Sequence, residues 1–140
     1  MSNAVMTLTS VLDFSGTISI GTITGSGGTP TPVVLGLNNP RAFGVVKPNI
    51  VVILGGAFQT GEVATVTVTA TYDNNQAATV AATFTAVGTY SFSAAQNNLL
   101  MSTDRSVTRF AATAQSSSVS SSVTATVNVT GLELVYGLPN

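Results

Sequence analysis

The sequence predicts an all-β fold: a two-sheet antiparallel sandwich, jelly-roll-like, with at most one short helix. Three observations predict it. Apolar residues alternate with threonine or serine at period two along much of the chain, the pattern of strands buried on one side only. Turn-forming clusters divide these alternations into about eight or nine strands at roughly 8–12-residue spacing. Only one segment reads as a helix. The 140-residue chain forms a single domain; it exceeds the roughly 100 residues of a simple immunoglobulin sandwich and lacks that fold's Cys and Trp marks, which sets the jelly roll ahead.

Residues 1–12, with Val5, Leu8 and Val11 apolar, read as a possible N-terminal arm. A strand is expected over Thr17 to Thr24, followed by the Gly/Pro loop of residues 25–32. That loop is not a phosphate loop, since no Gly-Lys-Ser/Thr follows and no helix begins there. A flexible connection or an exposed tip fits it better. Pro32 to Leu37, Phe43 to Val46 and Asn49 to Leu54 are the next strands. The clearest alternation runs from Val63 to Tyr72, with Ala64, Val66, Val68, Ala70 and Tyr72 on one face and four threonines on the other. Asp73-Asn74-Asn75 then turns the chain into Ala77 to Val87, whose Ala78, Val80, Ala82, Phe84 and Ala86 face inward. Asp and Asn tolerate left-handed turn conformations, so the two strands form an antiparallel hairpin.

Ser93-Ala94-Ala95-Gln96 has the spacing of a capping box and starts a helix over Ala94 to Met101, closed by Asp104. Arg105 to Gln115 is a strand with Phe110, Ala112 and Ala114 inward and Val107 and Arg109 on the other side. Ser116-Ser117-Ser118 and Ser120-Ser121-Ser122 flank Val119 as a flexible polar link or a bulged edge. Ser122 to Thr130 closes the chain's strands with Val123, Ala125, Val127 and Val129 inward.

Charge is the unusual quantity. Asp, Glu, Lys and Arg make up 6% of the chain, nine residues with a net charge of −1, against roughly 25% in ordinary soluble domains. Twenty-two threonines and 15 serines supply polarity instead. Chains near zero net charge gain little self-repulsion and tend to associate. A hydroxyl-and-methyl surface also packs against its like at low desolvation cost. Four basic residues cannot neutralise a run of phosphates or hold an anionic membrane, so neither nucleic acid nor membrane is expected as a partner. The longest apolar run, Ile50 to Phe58, is too short to span a bilayer as a helix. The first residues have neither a basic leader nor a hydrophobic segment, so no signal peptide is expected.

With no His and no Cys, catalytic triads, imidazole acid–base chemistry, thiolate nucleophiles and the usual zinc or haem sites are not expected. Five scattered carboxylates remain: Asp13, Glu62, Asp73, Asp104 and Glu133. Their spacing favours no catalytic pair, and the aromatic sugar platforms that usually accompany such pairs are scarce, with Trp absent and Tyr limited to Tyr72, Tyr90 and Tyr136. Asp73-Asn74-Asn75 offers oxygen ligands, but Ala77, Ala78 and Phe84 stand where a calcium loop needs a ligand, a glycine and an acid. No catalytic residue, metal or cofactor is assigned; the chain reads as a non-enzyme. Candidate interface residues are Val5, Leu8 and Val11 of the arm, with Arg105 and Arg109, because arginine is enriched at the centre of interfaces.

The Thr-rich hairpin Ala64-Thr65-Val66-Thr67-Val68-Thr69-Ala70-Thr71-Tyr72 is followed by its Asp-Asn turn. Then come the short Leu99-Leu100-Met101 segment and the Ser116–Thr130 strand pair ending Val127-Asn128-Val129-Thr130-Gly131. In this order of elements, from Glu62 to Gly131, the chain resembles the small jelly-roll proteins that decorate or cement tailed-phage capsids, and related head-fibre modules. The resemblance implies a virion structural protein: a homo-oligomer, in that family a trimer, seated on the major capsid protein at the capsid surface, with no shared active site. Alternatives are an extracellular filament or pilus subunit joined by strand donation through residues 1–12, and a carbohydrate- or receptor-binding module.

Overall fold

The computed structural model describes residues 7–37, 44–101 and 107–137; for 7–14, 44–46 and 132–137 it describes the backbone. Eight strands follow one another as β1 (Thr7–Thr22), β2 (Val33–Gly36), β3 (Gly44–Gly55), β4 (Ala64–Tyr72), β5 (Ala77–Phe84), β6 (Gly88–Ser91), β7 (Val107–Ser116) and β8 (Thr124–Gly137). One helix, α1 (Ala94–Leu99), lies between β6 and β7. The strands form two four-stranded antiparallel sheets, ordered β1-β8-β3-β6 and β2-β7-β4-β5. Strands 1 and 8, 2 and 7, 3 and 6, and 4 and 5 are each neighbours. This nesting is a long hairpin rolled over two sheets, the jelly-roll topology.

Burial follows the period-two pattern. Ala64, Val66, Val68 and Ala70 of β4 face Ile50, Val52 and Leu54 of β3 and Val123, Ala125, Val127 and Val129 at β8 across one continuous core. Phe110 is the largest fully buried side chain among the described residues, and most of the other core residues are Ala and Val. The core is thus built from many small apolar groups, each Val contributing about 1.5–3 kcal/mol when fully buried.

The innermost hairpin forms as expected. Asn75 donates to the Tyr72 carbonyl (3.0 Å) and Tyr72 to that of Gln76 (2.8 Å), and Asn75 takes the left-handed φ of 66°. This is the three-residue hairpin loop in which Asn is tolerated at positive φ. The capping box is complete: the Ser93 hydroxyl accepts from Gln96 N and the Gln96 side chain accepts from Ser93 N.

Four expectations are corrected. The two strands expected over Phe43 to Val46 and Asn49 to Leu54 are, within the described residues, one strand, β3, which runs from Gly44 through Pro48 to Gly55. Ile50 N and O bond on the side away from β8, to Asn97 and Phe92. Pro48, two residues earlier, therefore directs its missing N–H to that same side and costs no β8 ladder bond. Val107 is buried, not outward. A register shift against β4 at Thr71/Tyr72 pairs Tyr72 with Val107 and skips Thr108, which reverses the parity of β7 at that point. The strand expected to end at Val87 stops at Phe84, and Gly88–Ser91 forms a separate strand in the other sheet. Finally, β1 and β8 are longer than expected: residues 7–12, part of the segment read as a possible arm, pair with residues 133–137 of β8. Asp104 lies outside the described residues.

Candidate functional site

Antiparallel strands of a jelly roll gather their connections at two ends. One end carries the β1–β2, β3–β4, β5–β6 and β7–β8 loops; the other carries the β2–β3 connection, the β4–β5 turn and α1. Between the ends lie two broad outer faces.

On the outer face of the β2-β7-β4-β5 sheet, cross-strand rows bring hydroxyls and methyls together. Thr65 stands between Thr83 and Gln115, Thr67 between Ala81 and Thr113, and Thr69 between Thr79 and Ala111. The Thr69 and Thr79 hydroxyls are 3.0 Å apart and share a hydrogen bond. Val34 adds an apolar contact point at 56% exposure. Two open depressions of about 530 and 400 Å³ lie over β7. They form there because the Ala111 and Thr113 side chains are short. Arg109, exposed at the end of this face beside Thr71 and Gly36, is its one charged residue among those described.

The opposite outer face has the same chemistry. Thr17 donates to Asn128 Oδ1 at 3.0 Å, Ile53 is 39% exposed, and Lys47 is exposed at the far end of β3. Among residues whose side chains are described, neither face carries an acid.

The candidate interface residues are not brought together in one place. Leu8 and Val11 lie in β1, at register positions opposite Tyr136 and Leu134. Arg109 lies on the other sheet, on the outer face of β2-β7-β4-β5. Val5 and Arg105 fall outside the described residues.

In the sequence Glu62 is one of several scattered carboxylates; the fold makes it the centre of the loop end. Its carboxylate is buried, with Oε2 accepting from the Ser116 and Ser121 hydroxyls, both at 2.5 Å, and Oε1 accepting from Gln59 N at 2.8 Å. Hydrogen bonds from hydroxyls to an ionised carboxylate are charge-assisted. The Ser116 and Ser121 hydroxyls and the Gln59 N–H hold the Glu62 carboxyl below its ordinary pKa, against the opposing effect of burial. The same two hydroxyls accept from Ser118 N (3.0 Å) and Val123 N (3.1 Å).

The serine-rich connection is therefore tied down at both ends, not a free link. Ser118 O accepts from Ser26 N at 2.7 Å and Ser120 O from the Gln59 side chain at 2.6 Å. With these carbonyls turned inward, Val119 projects into solvent at 85% exposure. The Gly/Pro loop is held as well, by the Gln115 side chain donating to Gly28 O at 2.7 Å. Gly25 packs so closely beneath Val119 that an added Cβ would stand 2.3 Å from the Val119 carbonyl oxygen. A clue was present in the sequence, since an acid in a charge-poor chain has few roles. Its partners lie 54 and 59 residues away and have no local signature.

Comparison with known proteins finds no family model that matches the chain and no curated protein that is significantly similar to it.

Proposed function

We propose that this protein is a non-catalytic structural subunit that works by packing against copies of itself and against a larger shell, in its most specific form a decoration or cement protein on a virion capsid. The observation that carries this reading is the pair of outer faces. Each is built of hydroxyls, methyls and small apolar groups, with a single cation, Arg109 on one and Lys47 on the other, among the described side chains. Such faces lose little hydration on burial and have almost no charge to keep neighbours apart. The jelly-roll topology adds fold-level support, since capsid proteins use it repeatedly. Buried apolar area would supply roughly 25 cal/mol per Å² before the costs of association.

A filament joined by strand donation is a second reading, and one observation favours it. Residues 7–12, the segment suggested for donation, occupy the outermost position of their own sheet beside β8. Exchange of that strand between copies would link subunits without creating new pairings.

Light scattering and negative-stain microscopy of the full chain test both readings. Discrete symmetric oligomers are expected of a shell subunit and fibres of a strand-donating one. A chain that stays monomeric at millimolar concentration overturns both.

A further inference from the structure

We propose that β5 is the contact through which two copies of this chain join, pairing antiparallel about a two-fold axis at Ala81 to make one continuous eight-stranded sheet. This inference rests on the reading of the protein as an assembling subunit, and it names the contact.

Of the four strands at sheet edges, β2 and β6 have four residues each. β1 is interrupted by register shifts near Leu8 and Ser19 and carries Asp13 in its sequence. β5 has none of these protections. Its eight residues, Ala77–Phe84, contain no charge, proline or glycine and pair with β4 without a register shift. Isolated proteins guard long regular edges, because unpaired N–H and C=O groups recruit other strands. α1 lies against β3 and β5 near the hairpin end, but Thr79, Ala81 and Thr83 remain exposed.

The hydrogen-bond phase settles which groups are available. Tyr72 donates to Gln76 O, so the 72–76 pair is hydrogen-bonded. Pairing alternates every second residue, so Ala78, Val80 and Ala82 bond to β4, while Ala77, Thr79, Ala81 and Thr83 direct their N–H and C=O to the open edge. Those same residues have exposed side chains.

The strand is self-complementary in that phase. With Ala81 opposite its own copy, Thr79 meets Thr83 of the second copy in both directions. Thr–Thr pairs are favoured across strands, and the rows Thr65–Thr83 and Thr69–Thr79 already within the chain would continue across the axis. On the inner side Val80 meets Ala82 and Ala78 meets Phe84, all apolar. Such a two-fold contact joins copies in pairs, so the mass is two or another even multiple, six if threefold units are also present.

Ala81→Pro tests this directly, because it deletes a donor that no bond among the described residues uses; Ala81→Lys places a charge on the axis. Light scattering should show an even-numbered assembly for the unaltered chain and at least a halved mass for both variants, with circular dichroism unchanged. Ala81→Cys provides a readout that does not depend on either variant's folding. Hydrogen-bonded antiparallel pairs have Cα atoms about 5.5 Å apart, within disulfide range, and the chain has no other cysteine. Ala81→Cys should give a covalent dimer on mild oxidation, and Thr83→Cys should not. An odd-numbered assembly, or one that survives the substitutions at 81 without cross-linking, overturns the β5 contact and leaves the assembling-subunit reading standing. A monomer that never cross-links overturns both.

Discussion

The two ends of the sandwich solve the same problem with different chemistry. At both, strands stop and backbone N–H and C=O groups lose their ladder partners. The helix end uses neutral groups: Asn97 Oδ1 accepts from Ile50 N at 3.2 Å, its amide nitrogen donates to Phe92 O at 3.3 Å, and Tyr72 donates to Leu100 O at 3.2 Å. The loop end uses an ion, Glu62, whose two oxygens gather two hydroxyls and one backbone N–H from segments more than fifty residues apart in sequence. The difference follows from what each end must hold. At the helix end one amide and one phenol suffice for Ile50 N, Phe92 O and Leu100 O. The Gly25–Pro32 loop, the β3–β4 loop and the serine connection satisfy little of theirs, and a carboxylate accepts more and stronger bonds than an amide.

The largest effect is expected where the loop end has no spare room. Gly56 has φ +78°, and a Cβ there would stand 2.0 Å from the Ser122 carbonyl oxygen. Gly56→Ala should cost about 3 kcal/mol or more, as left-handed strain and overpacking add. Gly61, at φ +77° with open space around it, should lose only about 1–2 kcal/mol on the same change. Urea denaturation of the two variants compares them, and equal losses would refute the tight seating of the serine connection.

Next comes Glu62→Gln, which leaves either Gln59 N–H or the two serine hydroxyls without an acceptor. Its thermal midpoint should fall, and so should its dependence on pH. Because the Glu62 pKa is lowered in the fold by Ser116, Ser121 and Gln59, its stabilisation is complete above the ordinary glutamate value of about 4.3. As pH falls below that value the unfolded chain binds the proton first, and the stabilisation is lost until the folded carboxyl protonates too. The unaltered protein should therefore weaken steeply on the acid side and Glu62→Gln less so; parallel pH profiles would show that the ion is not what holds this end.

The helix end should be more forgiving. Asn97→Ala leaves the Ile50 N–H unpaired and is expected to cost about 1–3 kcal/mol, with no change in the acid profile. Ser93→Ala, which removes half of the capping box, is the smallest change at about 1 kcal/mol. Hydrogen exchange should show that loss confined to α1, and spread into the loop end would break the separation between the two.

Much of this architecture was legible from neighbours in the chain. The threonine alternation of β4 and β5, the Asp-Asn turn and the Ser93/Gln96 box each act within a few residues, so their pattern states their structure. The interface candidates were less legible. Arg109 takes a place on a face with no other charge among the described side chains, while Leu8 and Val11 belong to strand β1.

By itself, then, the sequence determined the strand pattern, the inward and outward faces, the helix start and an outer surface almost without charge, because these depend on side-chain chemistry at fixed local spacing. Only the tertiary structure decided the continuity of β3 through Pro48, the reversed parity at Val107, the anchoring role of Glu62 and the openness of the β5 edge. Each of these depends on which strand lies alongside and which way its hydrogen bonds point, and neither is encoded in the order of residues along one strand.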